Sequence, residues 1–189
     1  MSAAIKTIKS KRLAWAVTGS GHFFTESLAL MAEFAPLDLF VSKAAEEVVK
    51  MYRHEFTTLP KGVKIYRDNS ASAVPVGKFY HGDYHSLVLA PATSNTIAKC
   101  VFGISDSLPT NVFAQAGKCR VPTIVFACDT APELETQAPS EMVKVWPRAI
   151  DLDNVEKLKQ FAGVTVVASI EDLHRAITHR LAELHHGQP

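Results

Sequence analysis

Short runs of apolar residues recur along the chain, and segments with helical periodicity separate most of them. The runs are continuous rather than alternating, which is typical of strands in a parallel sheet with helices on both faces. The predicted strands are Leu13–Thr18, Leu37–Val41, Val63–Tyr66, Leu87–Ala90, Thr123–Ala127, Val143–Trp146 and Val164–Ala168. This order predicts an α/β fold, a doubly wound and mostly parallel sheet, in a single domain covering residues 1–189.

Capping residues indicate where several helices begin. Thr25 is the predicted cap of the first helix. Asp153, followed by Glu156, and Ser169, followed by Asp172, have the spacing of a capping box at two later helices. The last helix is predicted to turn one apolar stripe toward the core, formed by Leu173, Ile177, Leu181 and Leu184.

Composition and charge exclude several classes of protein. The chain has 189 residues, of which 47% are hydrophobic, and 20 Lys and Arg face 19 Asp and Glu. A nucleic-acid partner is therefore not expected, although a basic cluster begins at Lys6. No run approaches the roughly 18 to 20 apolar residues that span a bilayer, so no membrane partner is expected either. The three cysteines lack CxxC spacing, which indicates reduced thiols and a cytoplasmic location.

Doubly wound sheets bind ligands beyond the carboxyl ends of their strands, so the loops that follow the strands carry the candidate chemistry. The first loop reads Thr18-Gly19-Ser20-Gly21-His22, and its small residues allow an anion to approach the start of a helix. Position 24 is Phe where a dinucleotide fingerprint needs Gly, and no GxxxxGK(S/T) motif occurs. The loop predicts phosphate binding outside those two motifs, with a tight turn that binds nothing as the alternative.

Two further loops add hydrogen-bonding groups. Ser42 and Lys43 follow the second strand and offer a hydroxyl and an ammonium, although Ser is also a common helix cap. After the fourth strand, a helix start carries more polar side chains than the single one that a cap requires. The surplus predicts contact with a polar heterocycle or a phosphate, through the segment Pro91, Ala92, Thr93, Ser94, Asn95 and Thr96.

These motifs resemble the flavoprotein family of homo-oligomeric flavin-containing cysteine decarboxylases, which also includes phosphopantothenoylcysteine decarboxylase and flavin prenyltransferase. The resemblance is carried by Thr18-Gly19-Ser20, Ser42, the block from Pro91 to Lys99, and Gly103-Ile104-Ser105-Asp106. Within the family, the chain is most similar to archaeal-type dihydromethanopterin reductases. That closer similarity rests on the combination of four motifs, which are His81-Gly82-Asp83-Tyr84, the block from Pro91 to Thr96, Leu108-Pro109-Thr110-Asn111 and Phe126-Ala127-Cys128-Asp129.

The resemblance implies FMN, bound non-covalently between the subunits of a trimer that assembles further, for instance into a dodecamer or a twenty-four-subunit shell. Gly19, Ser20 and Ser42 would hold the phosphate, and the residues after Ala92 would hold the ribityl chain and the ring edge. The complete set of expected cofactor-binding residues is Gly19, Ser20, Gly21, His22, Ser42, Lys43, Pro91, Ala92, Thr93, Ser94, Asn95, Thr96, Ala114 and Gln115.

The chain departs from the decarboxylases at two places that matter for function. Their catalytic histidine would fall roughly at Gly77, and their Pro-x-Met-Asn-x-x-Met-Trp clamp is replaced by Asp129-Thr130-Ala131-Pro132. A flavin reductase requires less of its protein, because the cofactor performs the hydride chemistry and the protein supplies position and electrostatics. An FMN-dependent oxidoreductase is therefore favoured over a decarboxylase.

The resemblance implies reduction of dihydromethanopterin to tetrahydromethanopterin by a ping-pong route, with NAD(P)H or a small redox protein as the electron donor. His81 is the expected proton donor to the pterin, and Asp129 is expected to pair with its amino group. A solvated loop histidine and a loop-capping aspartate are the alternatives. A decarboxylase or prenyltransferase relative and a flavin-carrying electron-transfer protein stay open as other functions.

His81, Asp83 and His85 alternate, and in an extended segment all three side chains would point to one side. No metal site is assigned to them, because successive ligands on a straight strand cannot converge on a small ion. A site between subunits would also bury apolar side chains at the junction. Candidates for those contacts, with core packing as the alternative, are Phe23, Phe24, Phe102, Phe113 and Met142.

Overall fold

The computed structural model describes residues 11–51, 59–69, 73–138 and 141–186. Its strands are β1 (Arg12–Val17), β2 (Leu37–Val41), β3 (Lys64–Arg67), β4 (Tyr84–Ala92), β5 (Thr123–Ala127), β6 (Leu134–Gln137), β7 (Met142–Val145) and β8 (Val164–Val167). A six-stranded parallel sheet has the order β3-β2-β1-β4-β5-β8. The direction of winding reverses between β1 and β4, so the predicted doubly wound fold is confirmed.

Helices cover both faces of this sheet. They are α1 (Phe24–Glu33), α2 (Lys43–Met51), α3 (Ala73–Gly77), α4 (Ser94–Phe102), α5 (Leu108–Lys118), α6 (Ala149–Lys159) and α7 (Ile170–His186). One core packs α1, α2 and α7 against the sheet, and a second core on the opposite face is formed with α4, α5 and α6. No helix within the described ranges is long and apolar enough to span a bilayer.

The central strands are buried along their whole length, as their continuous apolar pattern predicts. After the half-buried Arg12, every residue of β1 is buried, and so is every residue of β2 and β5. Trp15 is completely buried in β1, and its indole N–H donates to the carbonyl oxygen of Ala90 at 2.8 Å. The neighbouring strand thus satisfies the one polar atom of that side chain.

One predicted strand lies outside the main sheet. The segment predicted as Val143–Trp146 forms β7, which pairs with β6 in a separate antiparallel hairpin. Its residues alternate between exposed and partly covered positions, and Lys144 on its exposed side contacts Glu133 at 2.5 Å. An alternating strand has only one face to bury, whereas the central sheet buries two, so this segment fits a surface hairpin.

Two of the predicted helix caps are wrong and one is confirmed. Helix α1 begins after Phe23, which has a φ of 58°, and the predicted cap Thr25 lies inside the helix. Helix α6 begins before Asp153, since Arg148 is its N-cap residue and donates its main-chain N–H to the Asp151 carboxylate at 3.0 Å. Ser169 caps α7 as predicted, because its hydroxyl accepts from the Asp172 amide at 3.1 Å. The basic cluster at Lys6 lies outside the described residues.

Candidate functional site

The loops that follow β1, β2, β4 and β5 are joined to one another at the carboxyl edge of the sheet. The Thr18 hydroxyl donates to the Pro91 carbonyl at 2.7 Å and accepts from the Thr93 amide at 3.1 Å. The Ser42 amide donates to the Val17 carbonyl at 3.2 Å, and Cys128 donates to Ala92 at 3.1 Å. Most of the candidate residues are therefore brought together at one edge, as the winding of the sheet requires.

Gly19 is required by the close approach of the first loop to α2. A Cβ atom at position 19 would lie 2.5 Å from the Cβ of Ala44 and 3.0 Å from its carbonyl carbon. The backbone of the first loop thus rests on the first turn of α2, at a distance that only glycine permits. The start of α2 is held beside the start of α1 by this contact.

Main-chain N–H groups in the first loop supply donors for an anion. The amides of Gly19, Gly21 and His22 find no acceptor among the described residues. Helices α1, α2 and α4 all begin at this edge, and the first N–H groups of a helix have no partner within the helix. Together with the positive ends of the helix dipoles, these donors fit a phosphate group.

We call the amides of Gly19, Gly21 and His22, together with the starts of α1, α2 and α4, the cradle. Ser42 and Lys43 take different positions in this cradle. The Ser42 hydroxyl is buried and accepts from the Ala45 amide at 3.0 Å, so it caps α2. An accepting hydroxyl keeps its own proton for donation, and the cap does not prevent Ser42 from also binding a phosphate oxygen. Lys43 is exposed in the first turn of α2.

The surplus of polar side chains at the start of α4 is divided among several partners. Thr93 caps the helix, accepting from the Thr96 amide at 3.2 Å and meeting the Thr96 hydroxyl at 3.0 Å. The Ser94 hydroxyl donates to the Asp129 carboxylate. Asn95 is exposed and its side chain has no hydrogen-bond partner among the described residues, so the side-chain amide is the group of this segment that is left for a ligand.

Burial is the largest cause of the pKa shifts of two side chains, His22 in the first loop and Cys128 after β5. It lowers the pKa of His22, against the opposing pull of the Asp129 and Glu26 carboxylates. It also raises the pKa of the Cys128 thiol to about 12. Cys128 is 3% exposed and stays protonated, which fits a core residue better than a reactive thiol.

His81 lies far from this edge within one chain. It is exposed in the turn before β4, whereas Thr93 follows the other end of that strand. Strand β4 has nine residues, which at about 3.3 Å per residue places its ends roughly 26 Å apart. His81, Asp83 and His85 do not form one extended segment, because His81 stands in a turn closed by the bond from the Gly82 amide to the Phe79 carbonyl. No cluster of three metal-binding side chains occurs among the described residues.

Ala114 and Gln115 are also separate from the cradle within one chain. Both lie on α5, where Gln115 is buried and its amide nitrogen is 3.6 Å from the Cys119 sulfur. Ala114 lines a cavity of about 630 Å³ that also contacts Pro122 and Gly163, before β5 and β8. The amino ends of these strands thus line that cavity.

Thr18 and Ala44 belong to the site although neither is in the set of expected cofactor-binding residues. Thr18 joins the loops through its hydroxyl, and Ala44 fixes the approach of Gly19. A hydroxyl residue at a strand end beside glycine is the sequence signal that indicates Thr18. The contact at Ala44 joins two loops that are separated in the sequence, so no local pattern reveals it.

A doubly wound parallel sheet with helix starts and unpaired amides at its carboxyl edge defines an α/β protein that binds a phosphate-bearing ligand. The chain belongs to the Flavoprotein family, whose model matches residues 1–186. The crystal structure of Burkholderia xenovorans DmrB in complex with FMN, described as a cubic protein cage for redox transfer, is 56% identical in sequence. It superposes with a TM-score of 0.84 over 92% of this chain and 97% of that one.

Two archaeal relatives extend the comparison. An uncharacterized protein of Methanocaldococcus jannaschii is 34% identical over 88% of this chain and 94% of its own length. The dihydromethanopterin reductase (acceptor) of Methanosarcina mazei is 36% identical over 68% of this chain. The match spans 59% of that reductase, so this chain corresponds to little more than half of it.

Proposed function

We propose that this chain is an FMN-dependent oxidoreductase that reduces dihydromethanopterin to tetrahydromethanopterin. The observation that carries the proposal is the cradle of unpaired amides at Gly19, Gly21 and His22, in a chain 56% identical to a protein crystallised with FMN. The similarity to reductases of dihydromethanopterin supports a pterin as the substrate.

The residues present fit FMN, and each has a distinct task. The amides of the first loop and the Ser42 hydroxyl would hold the phosphate, with Lys43 contributing charge at the rim. Thr93 and Asn95, at the start of α4, would face the ribityl chain and the ring edge. When bound, FMN supplies the hydride chemistry of the reaction.

Asp129 would bind the pterin. Its carboxylate stands after β5 and accepts from Ser94 at the start of α4, so its direction is fixed. A carboxylate pairs well with the adjacent N–H groups of an amino-pterin. The expected route is ping-pong, with NAD(P)H or a small redox protein reducing the cofactor first, since no nicotinamide fingerprint is present.

The proposed assembly is a homo-oligomer built from trimers, and it matters for the residues that lie apart in one chain. His81, Ala114 and Gln115 can contribute to a flavin site only across a subunit boundary, because each lies away from the cradle of its own chain. Their roles stay predictions that a structure of the assembly would test.

Anaerobic stopped-flow photometry tests the proposed activity. Protein with reduced FMN is mixed with dihydromethanopterin, and the flavin absorption band is followed. We expect reoxidation at a rate that saturates with pterin concentration and yields tetrahydromethanopterin. Reduced flavin that persists with the pterin would refute the proposal. Reversible redox cycling without a saturable second ligand would instead identify an electron-transfer protein, and turnover of a cysteinyl-terminated substrate would identify a decarboxylase.

A further inference from the structure

We propose that the outer edge of β8 binds strand β7 of a second copy of this chain, so that the hairpin of one subunit extends the main sheet of its neighbour. The contact joins two subunits and does not depend on the substrate that the protein reduces. Main-chain groups, exposed apolar side chains and charges on the two surfaces all fit this pairing.

The two edges of the main sheet differ in their protection. Strand β3 forms one edge, and exposed cations, Lys64 and Arg67, stand at both of its ends. Strand β8 forms the other edge, and Val164–Val167 includes no charged side chain. Charged side chains on an edge strand hinder pairing with another chain. Because β8 has none, it is the edge that can receive a further strand.

The hydrogen-bond pattern determines which main-chain groups of β8 are available. The Thr123 amide of β5 donates to the Gly163 carbonyl at 2.9 Å, and Thr123 is in register with Val164. Residues of a strand alternate in the direction of their main-chain groups, so the odd-numbered residues of β8 bond to β5. The N–H and C=O of Val166 therefore point away from the sheet, toward the position of a further strand.

A groove of about 920 Å³ runs along this open side of β8. It is lined by residues 163–168 over the whole length of the strand. Its other main wall is one side of α7, which we call the α7 stripe and which comprises Asp172, Arg175, Ala176, His179, Arg180 and Glu183. None of the residues 134–145 that the structure describes lines the groove. The chain's own hairpin thus leaves the groove open.

The hairpin of β6 and β7 needs a surface to pack on. Neither core of the subunit includes a described residue of the hairpin. Met142 of β7 is 56% exposed and Trp146, directly after β7, is 65% exposed. A two-stranded hairpin that packs on nothing else is at best marginally stable in water. A partner surface would therefore both bury these side chains and stabilise the hairpin.

The free side of β7 offers main-chain groups that match those of β8. The Ala138 amide donates to the Glu141 carbonyl at 2.8 Å, which sets the alternation along the antiparallel pair. The main-chain N–H and C=O groups of Met142 and Lys144 accordingly point away from β6. Both strands have four residues, so a ladder between β7 and β8 can form along their whole length.

The charges of the two surfaces are complementary. Residues 133–146 contain three carboxylates and one ammonium, which belong to Glu133, Glu135, Glu141 and Lys144. The groove is lined by three cations, Lys159, Arg175 and Arg180, and by two carboxylates, Asp172 and Glu183. The hairpin is thus negative overall and the groove is positive overall, which favours their association.

The same charges disfavour the pairing of β8 with β8 of a second copy. The α7 stripe has a carboxylate at each end, Asp172 and Glu183, and the arginines Arg175 and Arg180 between them. A two-fold contact would place two such stripes antiparallel to each other. Carboxylates would then face carboxylates and arginines would face arginines, which opposes this arrangement. The hairpin is therefore the occupant that the groove fits.

Photo-cross-linking in the full-length protein tests the contact directly. The photoreactive amino acid p-benzoylphenylalanine replaces Thr165, which is exposed on β8 and lines the groove. After irradiation, denaturing electrophoresis separates the products and mass spectrometry maps the cross-linked peptides. We expect a product of twice the chain mass, with the cross-link in residues 133–146 of the second copy. The same amino acid in place of Lys64, on the opposite edge, is the control and should not label that peptide.

The position of the cross-link decides between the possible occupants. A cross-link to residues 163–168 of a second copy would identify pairing of β8 with itself. A cross-link to any other segment, or products joined only within one chain, would show that β7 does not occupy the groove. Each of these results would overturn the proposal.

The mass of the assembly provides an independent test. Val166→Pro removes the outward N–H and keeps the bonds to β5, and proline is tolerated at such positions of an edge strand. We expect it to weaken self-association by about tenfold and to shift the protein to smaller species, as measured by light scattering coupled to size-exclusion chromatography. Met142→Pro removes an outward N–H of the hairpin and should have the same effect.

Ile65→Pro is the matched control on the opposite edge. The Asp68 amide donates to the Val41 carbonyl at 3.1 Å, so the N–H of Ile65 points away from the sheet in the same way as that of Val166. This variant should keep the parent mass, and circular dichroism checks that all three variants fold. The parent mass in both Val166→Pro and Met142→Pro would refute the contact, as would a parent protein that stays a single chain at every concentration. If Val166→Pro does not fold, Met142→Pro and the cross-link decide.

Discussion

At the scale of single residues, the site depends on contacts that tolerate no added atoms. Gly19 lets the first loop rest on α2, and Thr18 uses one hydroxyl to hold both Pro91 and Thr93. Neither residue needs to react with a substrate. Both determine where the amide donors point, so their substitution should weaken binding before it affects any chemical step.

Gly19→Ala should weaken FMN binding by about tenfold or more and destabilise the fold by about 1 to 3 kcal/mol, because its Cβ overlaps Ala44. Ala44→Gly in the same chain removes the nearest overlapping atom and should restore part of the affinity. Gly117→Ala is the control, since a Cβ there meets nothing within 4 Å. Fluorescence titration with FMN measures all three. Equal affinity of Gly19→Ala and the parent protein would disprove the close-approach argument.

His85 should make the protein less stable in mild acid. Burial, assisted by the charges of Arg180 and Lys11, lowers the pKa of His85 to about 4 from its ordinary 6.5. Between these pH values the unfolded chain binds a proton that the folded chain refuses, so the free energy of unfolding falls as pH falls through this window. Given the partial exposure of His85, the loss should be on the order of 1 kcal/mol.

Urea unfolding at pH 7 and pH 4.5 checks this dependence. His85→Gln should lose less stability between the two pH values than the parent protein, since its side chain does not titrate. His179→Gln, whose side chain is 76% exposed in the parent protein, should behave like the parent. The same pH dependence in His85→Gln and the parent protein would show that His85 is not the group responsible.

At the scale of elements, the sheet could be predicted because its strands are buried on both faces and read as continuous apolar runs. The sequence predicts β7 as a strand of that sheet, although β7 pairs with β6 in a separate hairpin, because a short apolar run does not reveal which strand it pairs with. Helix α6 was predicted to begin too late, since its cap uses Arg148, a residue type that does not mark a helix start. The loops that form the site could be predicted from the order of the strands. The contact of Gly19 with Ala44 could not, because it depends on packing between segments that are distant in the sequence.

The sequence analysis also did not predict a buried ionic cluster at the amino edge of the sheet. Asp38 of β2 is 1% exposed, and its carboxylate accepts from Arg12, Lys78 and Tyr84, each at 2.7 Å. Burial disfavours its charge, but these three donors together hold the pKa of Asp38 below its ordinary value. The cluster links β1, β2, β4 and the turn after α3, and thus fixes the edge of the sheet opposite the cradle.

Asp38→Asn should lower the free energy of unfolding by about 3 to 5 kcal/mol, because the cations are left without their buried counter-charge. Because the pKa of Asp38 is lowered in the folded protein, the stabilisation by its charge should be present above the ordinary aspartate pKa of 3.8 and be lost as pH falls below it. Chemical denaturation measures both effects. Asp153→Asn at an exposed position is the control and should change stability by less than about 0.5 kcal/mol. A similarly small effect of Asp38→Asn would contradict a stabilising role for the cluster.

At the scale of the whole molecule, some large apolar side chains of the described residues are mostly exposed. Phe24 and Phe113 are buried in the two cores, so they are not junction residues of the kind expected. Phe102 and Met142 are 61% and 56% exposed, and Trp146 on the hairpin is 65% exposed. Apolar groups exposed to this degree fit contacts between subunits, as a homo-oligomer requires.

Phe102→Glu should shift the assembly toward smaller species, because a charge replaces an apolar group that is 61% exposed in the chain. Phe102→Leu keeps the apolar surface and should preserve the assembly. Light scattering coupled to size-exclusion chromatography measures the mass, and circular dichroism checks that both variants fold. An unchanged mass for Phe102→Glu would place the interface elsewhere.

The central claim is that the carboxyl edge of this sheet is a cradle for the phosphate of FMN. Equilibrium dialysis of the full-length protein against FMN and against riboflavin, which lacks the phosphate, tests it most directly. Charge-assisted hydrogen bonds contribute about 1.5 to 3 kcal/mol each, so two or more to the phosphate should favour FMN by at least about 100-fold. Equal binding of FMN and riboflavin, or binding of neither, would contradict the account.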